Sequence, residues 1–271
     1  MNAPRTIPGT HFLRNLLERR SLLFQLVRRD FEQRFVGSIV GWVWGLIHPL
    51  VLLLSWTFVF SICLHQRMPA GEVTDNYPLF LFAGMLPWLL FSETVQRSSS
   101  SLVEQANLIT KTVFPAEMVP VSIFLSALVS HFMALGLVVI AVSIWLNQIS
   151  VGLVLLPVYT LLLGMFAIGL GWILASLQVY LRDTAQVLTV ILTFWFWWTP
   201  IFITETQYRG WRFLLAGNPL VYAVRAYRKL LLSQQWPGLN DLTVMAMFAV
   251  VTFIAGGMFF RQMKRGFADV L

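Results

Sequence analysis

Six long apolar stretches restrict what this chain can fold into more than any other feature. An α-helix needs about 20 apolar residues to cross the roughly 30 Å hydrocarbon core of a bilayer, and every stretch is near or above that length. Transmembrane strands would show short segments of alternating polarity instead, which the sequence lacks. The stretches lie at about 38–64, 78–97, 118–146, 151–180, 185–203 and 242–260. The sequence therefore predicts an all-α polytopic membrane protein with six transmembrane helices, in which residues 38–265 form one domain.

The composition agrees with lipid as the surrounding solvent. Hydrophobic residues make up 58% of the 271 residues and charged residues only 11%, whereas a soluble domain carries about 25% charged residues. More than half of a folded surface still faces its solvent, so these proportions exclude an ordinary soluble enzyme. The net charge of +7 is interpreted as a marker of membrane orientation, and no nucleic-acid partner is expected.

The basic residues predict which side of the membrane holds the two ends of the chain. An even number of spans puts both termini on the same side, and 13 of the 19 Lys and Arg residues then lie on that side. Because positive charge is retained in the cytoplasm, both termini are predicted to be cytoplasmic.

Residues 1–37, before the first span, predict a basic amphipathic helix. Apolar residues recur at helical spacing and form one face of the helix, and Arg28 and Arg29 lie outside that face. Such a helix next to a span is expected to lie in the lipid headgroup layer; packing on a soluble partner is the alternative. The apolar positions are Leu13, Leu16, Leu17, Leu23, Phe24, Val27, Phe31 and Phe35.

The segment at about 204–241 differs from the other connections because it is both apolar and basic. It contains two short apolar pieces, at about 211–216 and 219–232, which are broken by Gly217-Asn218-Pro219. Neither piece is long enough to span a bilayer. Short re-entrant or surface-lying helices on the outer side are predicted, with a hydrophilic loop as the alternative.

Aromatic and basic residues near the outer side are candidates for a translocation path or an outer gate. Five aromatic residues run from Phe194 to Trp198, and they form either a belt at the headgroups or flat faces for sugar rings. Further along, three polar residues recur at one helix face, as a gate or as headgroup anchors. The candidates for the path or gate are Trp195, Trp198, Tyr222, Arg225 and Lys229.

Small residues in the fourth span predict close helix packing. Gly164, Ala167, Gly171 and Ala175 follow one another at steps of three or four residues. Such a stripe lets two helices approach closely. The contact could lie within one subunit or between two subunits.

Several kinds of chemistry have no motif in the sequence. The Gly-rich loop that holds ATP phosphates is absent, and the four His residues have no metal-ligand spacing. No catalytic, metal or cofactor site is therefore expected in this chain. Glu93 is the main ionisable residue inside a span, and because ion-coupled transporters use such carboxylates, it leaves ion coupling as an alternative.

The cytoplasmic segment at about 97–117 predicts a short polar helix, bounded by serines and by Phe114-Pro115. It is either a simple connection or a docking element for a soluble partner. Its polar residues Glu104, Asn107 and Lys111 are the candidates for contact with that partner.

Taken together, these stretches resemble the permease subunit of bacterial type-2 ABC exporters for polysaccharides, which include O-antigen, capsule and teichoic acid exporters. The order and spacing of the matching stretches agree from about residue 20 to 265. The matching residues are Arg29-Asp30-Phe31, Arg34-Phe35, Gly37-Ser38, Gly41, Trp44, Pro49-Leu50, Asn107-Leu108-Ile109, Lys111, Phe114-Pro115, Pro120, Arg182-Asp183, Thr199-Pro200-Ile201-Phe202 and Asn218-Pro219-Leu220.

The resemblance implies a homodimer in the bacterial inner membrane that works with two copies of a separate ATPase. ATP and Mg²⁺ would be bound by the ATPase, so this chain would not itself be an enzyme. A lipid-linked polysaccharide is the implied substrate. The dense aromatic run before Pro200 departs from the family pattern, so the residues that line the path are not carried over from it.

The basic residues before the first span then gain a possible second role. The candidates for binding a lipid diphosphate are Arg28, Arg29 and Arg34, because one guanidinium can donate two parallel hydrogen bonds to the oxygens of a phosphate. Anchoring of the helix is the alternative. Other functions considered are export of a drug or small lipid, a membrane-embedded transferase and a passive channel.

Overall fold

The computed structural model describes residues 20–34, 36–66, 72–111, 114–147, 150–208, 212–233 and 235–270. Within these ranges 84% of the structure is helical and no strand is present. The predicted all-α class is therefore confirmed. In chain order, the α-helices of the described ranges are α1 Arg20–Gln33, α2 Trp44–Thr57, α3 Tyr77–Glu104, α4 Ala106–Lys111, α5 Met118–Leu146, α6 Leu156–Tyr180, α7 Thr184–Trp198, α8 Arg212–Ala216, α9 Pro219–Leu232, α10 Leu239–Met263 and α11 Phe267–Val270.

Five helical segments in the described ranges are long and apolar enough to cross a membrane, which makes this a multi-pass membrane protein. They correspond to the first, second, third, fourth and sixth stretches predicted from sequence. Short helical turns extend three of the α-helices to these lengths. The segments are Gly41–Cys63, Tyr77–Glu104, Met118–Leu146, Val151–Tyr180 and Leu239–Gly266.

The fifth predicted stretch, 185–203, forms a shorter helix than expected. α7 has 15 residues, or about 22 Å of helix, against the roughly 30 Å of a bilayer core. Thr199 has an extended backbone, as a residue before proline prefers, and Pro200 follows it. The proline therefore explains why α7 ends at Trp198.

The long helix α3 lies at the centre of the bundle and packs against α5, α6 and α9. It begins after Asn76, whose side-chain oxygen accepts a hydrogen bond from the backbone nitrogen of Leu79 at 3.2 Å, and Pro78 occupies its first turn. Both features favour a helix start. Side chains from Tyr77 to Leu102 are buried along it, so the other helices are arranged around α3.

The small residues of α6 pack inside one subunit. A Cβ atom added to Gly164 would lie 2.2 Å from the ring of Phe124, and one added to Gly171 would lie 2.9 Å from Ser98. Gly169 lies against Gly256 of α10, where an added Cβ on Gly256 would be 2.2 Å from the Gly169 carbonyl oxygen. Contacts within the chain thus account for the predicted stripe.

The first span has few contacts within the chain. Of the described residues in Gly41–Cys63, only Pro49 is buried. Large apolar side chains such as Leu54 and Phe58 are more than half exposed. This span therefore lies at the edge of the bundle, where lipid or another chain must cover it.

The predicted helix at the start of the chain is present over α1, while residues 1–19 and Phe35 lie outside the described residues. α1 packs on α5. Phe24, expected on its apolar face, is 69% exposed, whereas Leu26 is 6% exposed. Leu26, Asp30 and Arg34 share one face by their four-residue spacing, so the face turned to the bundle is part apolar and part charged.

The segment at about 204–241 contains the two short helices that the sequence predicts, α8 and α9; their re-entrant placement on the outer side stays a prediction. α9 begins after Asn218, whose side chain accepts from the backbone nitrogen of Leu220 at 3.1 Å, and it is buried along nearly its whole length against α3, α6 and α10. A hydrophilic loop is therefore excluded for this part of the segment.

Gly256→Ala is expected to lower stability because the new methyl group would overlap the backbone of Gly169. Helix α10 would have to move, at a cost of about 1–3 kcal/mol. The neighbouring variant Gly257→Ala is the control, since its Cβ would lie 3.6 Å from the ring of Trp172, an ordinary contact distance. Thermal unfolding in detergent compares the two, and equal melting temperatures would contradict the tight contact.

Candidate functional site

The helix α1 is tied to α3 by a network of two arginines and two carboxylates. Arg34 Nη1 lies 2.5 Å from Glu93 Oε1, and Arg97 Nη2 lies 2.5 Å from Asp30 Oδ1. The longer distances, Arg34 to Asp30 and Arg97 to Glu93, are both 3.7 Å. The network is therefore closed, with equal numbers of positive and negative groups.

The surroundings of this network decide what its members can do. Burial lowers the pKa of the Arg34 guanidinium below its ordinary value, and the charge of Glu93 opposes that shift. Glu93 is thus the counter-ion of Arg34. Sequence reasoning identified Glu93 but missed its partner; the available signal was that intramembrane acids pair with a base.

The three arginines predicted to receive a diphosphate differ in their contacts. Arg28 pairs with Glu32 at 2.7 Å on the exposed face of α1, and Arg34 is held by the network. Arg29 Nη2 donates to the neutral Gln105 Oε1 at 3.2 Å. Among the described residues, Arg29 makes no ion pair with a carboxylate, so it is the arginine of the three with its charge available.

The predicted coupling segment is helical, and its helix α4 follows α3 after the single residue Gln105. Asn107 is exposed, while Glu104 accepts from Ser100 Oγ at 2.6 Å. The side chain of Lys111 lies outside the described residues. Since α3 continues to Glu104, the central helix of the bundle leads directly into α4.

A polar cavity of about 460 Å³ brings these two predicted groups together. It lies between α1, α3 and α4, and Arg29 and Arg34 meet Glu104 and Asn107 at its wall. No sequence pattern indicates that the two groups are neighbours. The lining residues are Arg29, Asp30, Gln33, Arg34, Arg97, Ser100, Glu104, Gln105, Asn107 and Ile123.

A second, open cavity of about 660 Å³ is lined by α2, α3, α5 and α7. One end is polar, with Arg34, Glu93 and Ser130, and the walls are largely aromatic and aliphatic. Arg34 lines both cavities. The aromatic and imidazole groups of the second cavity are Trp44, His48, Trp56, Trp88, His131 and Phe196.

The tryptophans predicted to line a path occupy different surroundings. Trp195 is turned into the core, where its Nε1 donates to Asn218 Oδ1 at 2.9 Å and its ring lies 5.1 Å from that of Phe91. Phe196, not Trp195, lines the second cavity. Trp198 is 39% exposed. A role of Trp195 or Trp198 in a path stays a prediction.

The predicted outer gate contains one strongly paired residue. Arg225 holds Glu205 through two hydrogen bonds of 2.9 and 2.5 Å and also pairs with Asp241. Hydrogen bonding to Glu205 raises the pKa of Arg225. Tyr222 is buried, and its hydroxyl donates to the Ala216 carbonyl at 3.1 Å. Lys229 is half-buried, so Arg225 is the residue that ties α9 to the start of α10.

Sequence reasoning missed the role of Arg228, which is only 5% exposed. Its Nη2 donates to the Ile201 carbonyl at 2.6 Å, its Nε donates to the Phe80 carbonyl at 3.3 Å, and its guanidinium lies 3.4 Å from the Phe80 ring centre. Gly84 leaves the space, since an added Cβ would lie 2.7 Å from Nη2. Arg228 thus fixes α9 to α3.

Another buried polar contact joins the three helices α5, α6 and α9. The Tyr227 hydroxyl of α9 lies 3.1 Å from His131 Nε2 of α5 and 2.6 Å from Thr160 Oγ1 of α6. Within the described residues, no group of three or more His, Cys, Asp or Glu side chains is placed to hold a metal ion.

The sequence pattern of the ABC-2 type transporter family matches residues 21–232. The chain is 30% identical over 260 residues to the O-antigen export system permease protein RfbA of Myxococcus xanthus, covering 95% of this chain and 98% of that protein. It is 24% identical over 261 residues to RfbA of Klebsiella pneumoniae, covering 92% and 95%. It is 25% identical over 240 residues to the polysialic acid transport protein KpsM of Escherichia coli, covering 85% and 89%.

Glu93→Gln is expected to destabilise the protein because it leaves Arg34 without its nearest counter-ion. Leaving a largely buried charge unpaired costs about 1–3 kcal/mol. The double variant Glu93→Gln with Arg34→Gln removes both charges and should recover part of the loss. Thermal unfolding measures each variant, and Glu32→Gln, in the exposed pair with Arg28, is the control. A melting temperature unchanged by Glu93→Gln would contradict the network.

Proposed function

This chain belongs to the ABC-2 type transporter family, and from that premise we propose that it is the membrane subunit of an ATP-driven exporter of polysaccharide. The relatives from Myxococcus, Klebsiella and Escherichia are named as O-antigen export or polysialic acid transport proteins. Export of a drug or small lipid has no such support. The substrate we propose is a lipid-linked polysaccharide, similar to O-antigen or capsule.

The polar cavity between α1, α3 and α4 carries this proposal furthest. A substrate phosphate held at Arg29 would also touch Gln105, the residue just before α4. The same small volume would then meet the substrate headgroup on one side and the coupling helix on the other. Such a site suits a transporter whose energy comes from a soluble partner bound at α4.

We place ATP hydrolysis on a separate ATPase subunit, present in two copies and binding ATP and Mg²⁺. Glu104, Asn107 and Lys111 would contact it on the cytoplasmic side. Closure of the two ATPases would push on α4, and because α4 follows α3 directly, the push would reach the centre of the bundle. This chain supplies the membrane path and no reaction chemistry.

A lipid diphosphate would first meet Arg28 and Arg29, which are exposed on α1. A guanidinium group can donate two parallel hydrogen bonds to the oxygens of one phosphate. Arg34 would join only when Glu93 releases it, because the two are 2.5 Å apart. Arrival of the anion at α1 would therefore loosen the network that holds α1 to α3.

The glycan would then pass through the second cavity, whose aromatic faces suit the apolar faces of sugar rings. A second copy of this chain would complete the path, covering the exposed apolar side chains of Gly41–Cys63. Trp195 and Trp198 would shape the outer half, and Tyr222, Arg225 and Lys229 would gate the exit.

The proposed topology keeps six spans, with α7 and the residues to 203 as the fifth. α8 and α9 would be re-entrant from the outer side, since Asn218, the residue before α9, contacts Trp195 in the core. Residues 1–37 would form the interfacial helix of a single membrane domain, 38–265. The protein would lie in the bacterial inner membrane, with both termini in the cytoplasm.

The tagged permease, purified from its native membrane in mild detergent, is expected to bring an ATPase with it. Asn107→Arg places a large charged group on the exposed face of α4 and should abolish that association. Asn240→Arg, an exposed position at the start of α10, is the control and should keep the partner. A wild-type protein that arrives alone and supports no ATP hydrolysis would overturn the proposal.

Arg29→Glu is expected to lower export about tenfold, the effect of losing one charged hydrogen bond, while the ATPase stays bound. Surface polysaccharide in the native host and the amount of permease in the membrane are measured together. Arg182→Glu makes the same charge change at an exposed turn and should export normally. If Arg29→Glu exports normally at a normal membrane level, Arg29 does not receive the substrate.

A further inference from the structure

The end of the chain folds back beneath the bundle and reaches the coupling helix. After α10, the turn Lys264–Gly266 leads into α11, which contacts both α4 and α6. Phe267, the first residue of α11, is 1% exposed, and its ring lies 5.5 Å from that of Phe260 in α10. The final turns are therefore a packed part of the bundle.

An ion pair links this C-terminal segment to the start of α5. Lys264 Nζ lies 2.6 Å from Glu117 Oε2, across 147 residues of sequence. Glu117 is the N-cap residue of α5, yet its side chain makes no cap hydrogen bond to its own helix. Its backbone carbonyl accepts from Trp172 Nε1 at 3.0 Å. Glu117 is thus bound to α6 through its backbone carbonyl and to the C-terminal segment through its carboxylate.

A second tether holds the last residue of α10, directly before this segment. The Tyr180 hydroxyl at the end of α6 donates to the Met263 carbonyl at 2.9 Å. Gly266 permits this approach, because a Cβ atom there would lie 2.6 Å from the Tyr180 hydroxyl oxygen. The C-terminal segment is therefore fixed both to α6 and to the residue that begins α5.

The residue that Lys264 holds closes the turn between the coupling helix and α5. In this turn the backbone nitrogen of Ala116 donates to the Phe114 carbonyl, and that of Met118 donates to the Pro115 carbonyl, each at 2.9 Å. Ala116 is fully buried. The described part of this connection, residues 114–117, is therefore tightly bonded and is held by Lys264.

We propose that the C-terminal segment Lys264–Val270 is a working part of the coupling element. Lys264 is a positioning residue that joins the turn after α4 to α10, so motion of α4 carries α5 and α10 together. The inference rests on the proposed function. The family pattern ends at residue 232, before α10, so Lys264–Val270 lies outside the part of the chain that the pattern matches, while its contacts Glu117 and Tyr180 lie inside it.

The side chains of Lys264 and Glu117 are 40% and 20% exposed, so the pair is partly buried. Its cation is more exposed than Arg34, whose side chain is 15% exposed, and solvent screening lowers what such a pair contributes to folding stability. Breaking the pair should therefore leave a folded complex whose ATPase works without moving substrate efficiently.

The test compares Lys264→Glu, Glu117→Lys and the double charge swap in the complete permease–ATPase complex. Surface polysaccharide is measured in the native host lacking its chromosomal copy, and ATP hydrolysis is measured on the purified complex. Arg261→Glu is the matched control, since Arg261 lies in the last turn of α10, is exposed, and has no carboxylate at ion-pair distance among the described residues.

The ratio compared is the surface polysaccharide in the host divided by the ATP hydrolysis rate of the purified complex. Each single reversal is expected to lower this ratio by about fivefold or more, which is the lower range of coupling between sites. The double swap should restore the ratio, and Arg261→Glu should keep it. Wild-type ratios in both single reversals would overturn the inference. So would a loss that the double swap fails to restore.

Tyr180→Phe keeps the test decisive if the reversals fail to reach the membrane. It removes only the hydroxyl that holds Met263, so it should fold, and it should lower the same ratio by a smaller factor. A wild-type ratio in this variant would then overturn the inference. A wild-type complex without ATPase activity would overturn the proposed function itself, and this inference with it.

Discussion

A charged group at the depth of a bilayer has to find its partner within the protein, because lipid offers none. This requirement organises the molecule at two levels. At one level, Arg34 and Arg97 neutralise Glu93 and Asp30. At the other, Arg228 satisfies two backbone carbonyls instead of a carboxylate. The helix α3 passes through both levels and contributes to each, which is why the rest of the bundle is arranged around it.

The network around Arg34 and Glu93 also determines which arginine of the candidate site can bind an anion. Because the network is neutral, an incoming anion gains little from Arg34 and more from Arg29, whose contact is the uncharged Gln105. Arg29 is in turn next to α4 through Gln105. In the proposed function, substrate recognition and partner docking would therefore be separated by a single side-chain contact, between Arg29 and Gln105.

Much of the fold could be predicted from the sequence because hydropathy is a local property. The stretches 118–146 and 151–180 match Met118–Leu146 and Val151–Tyr180. The fifth stretch came out shorter because hydropathy runs on past Trp198 while Pro200 ends the helix. The charged face of α1 was not predicted, because apolar spacing alone does not show that groups on α3 pair with Asp30 and Arg34.

The pairings could not be predicted, because one sequence does not say which distant residues meet. Arg34 with Glu93, Lys264 with Glu117 and Arg228 with the carbonyl of Ile201 are contacts between separate helices or segments. The two groups of candidate site residues were each found by residue type and spacing. Their meeting at one cavity depends on how α1 packs on α5, which no local pattern encodes.

The backbone contact of Gly169 with Gly256 has a mechanical consequence. Helices pressed together this closely, without side chains between them, behave as one rigid block, since sliding would bring backbone atoms into collision. The span Gly41–Cys63 is the opposite case, with Pro49 as its one buried residue among those described. Few buried contacts make a segment cheap to displace. Under the proposed function, any widening of the bundle for a bulky polymer would therefore occur at this span, while α3, α6 and α10 stay packed together.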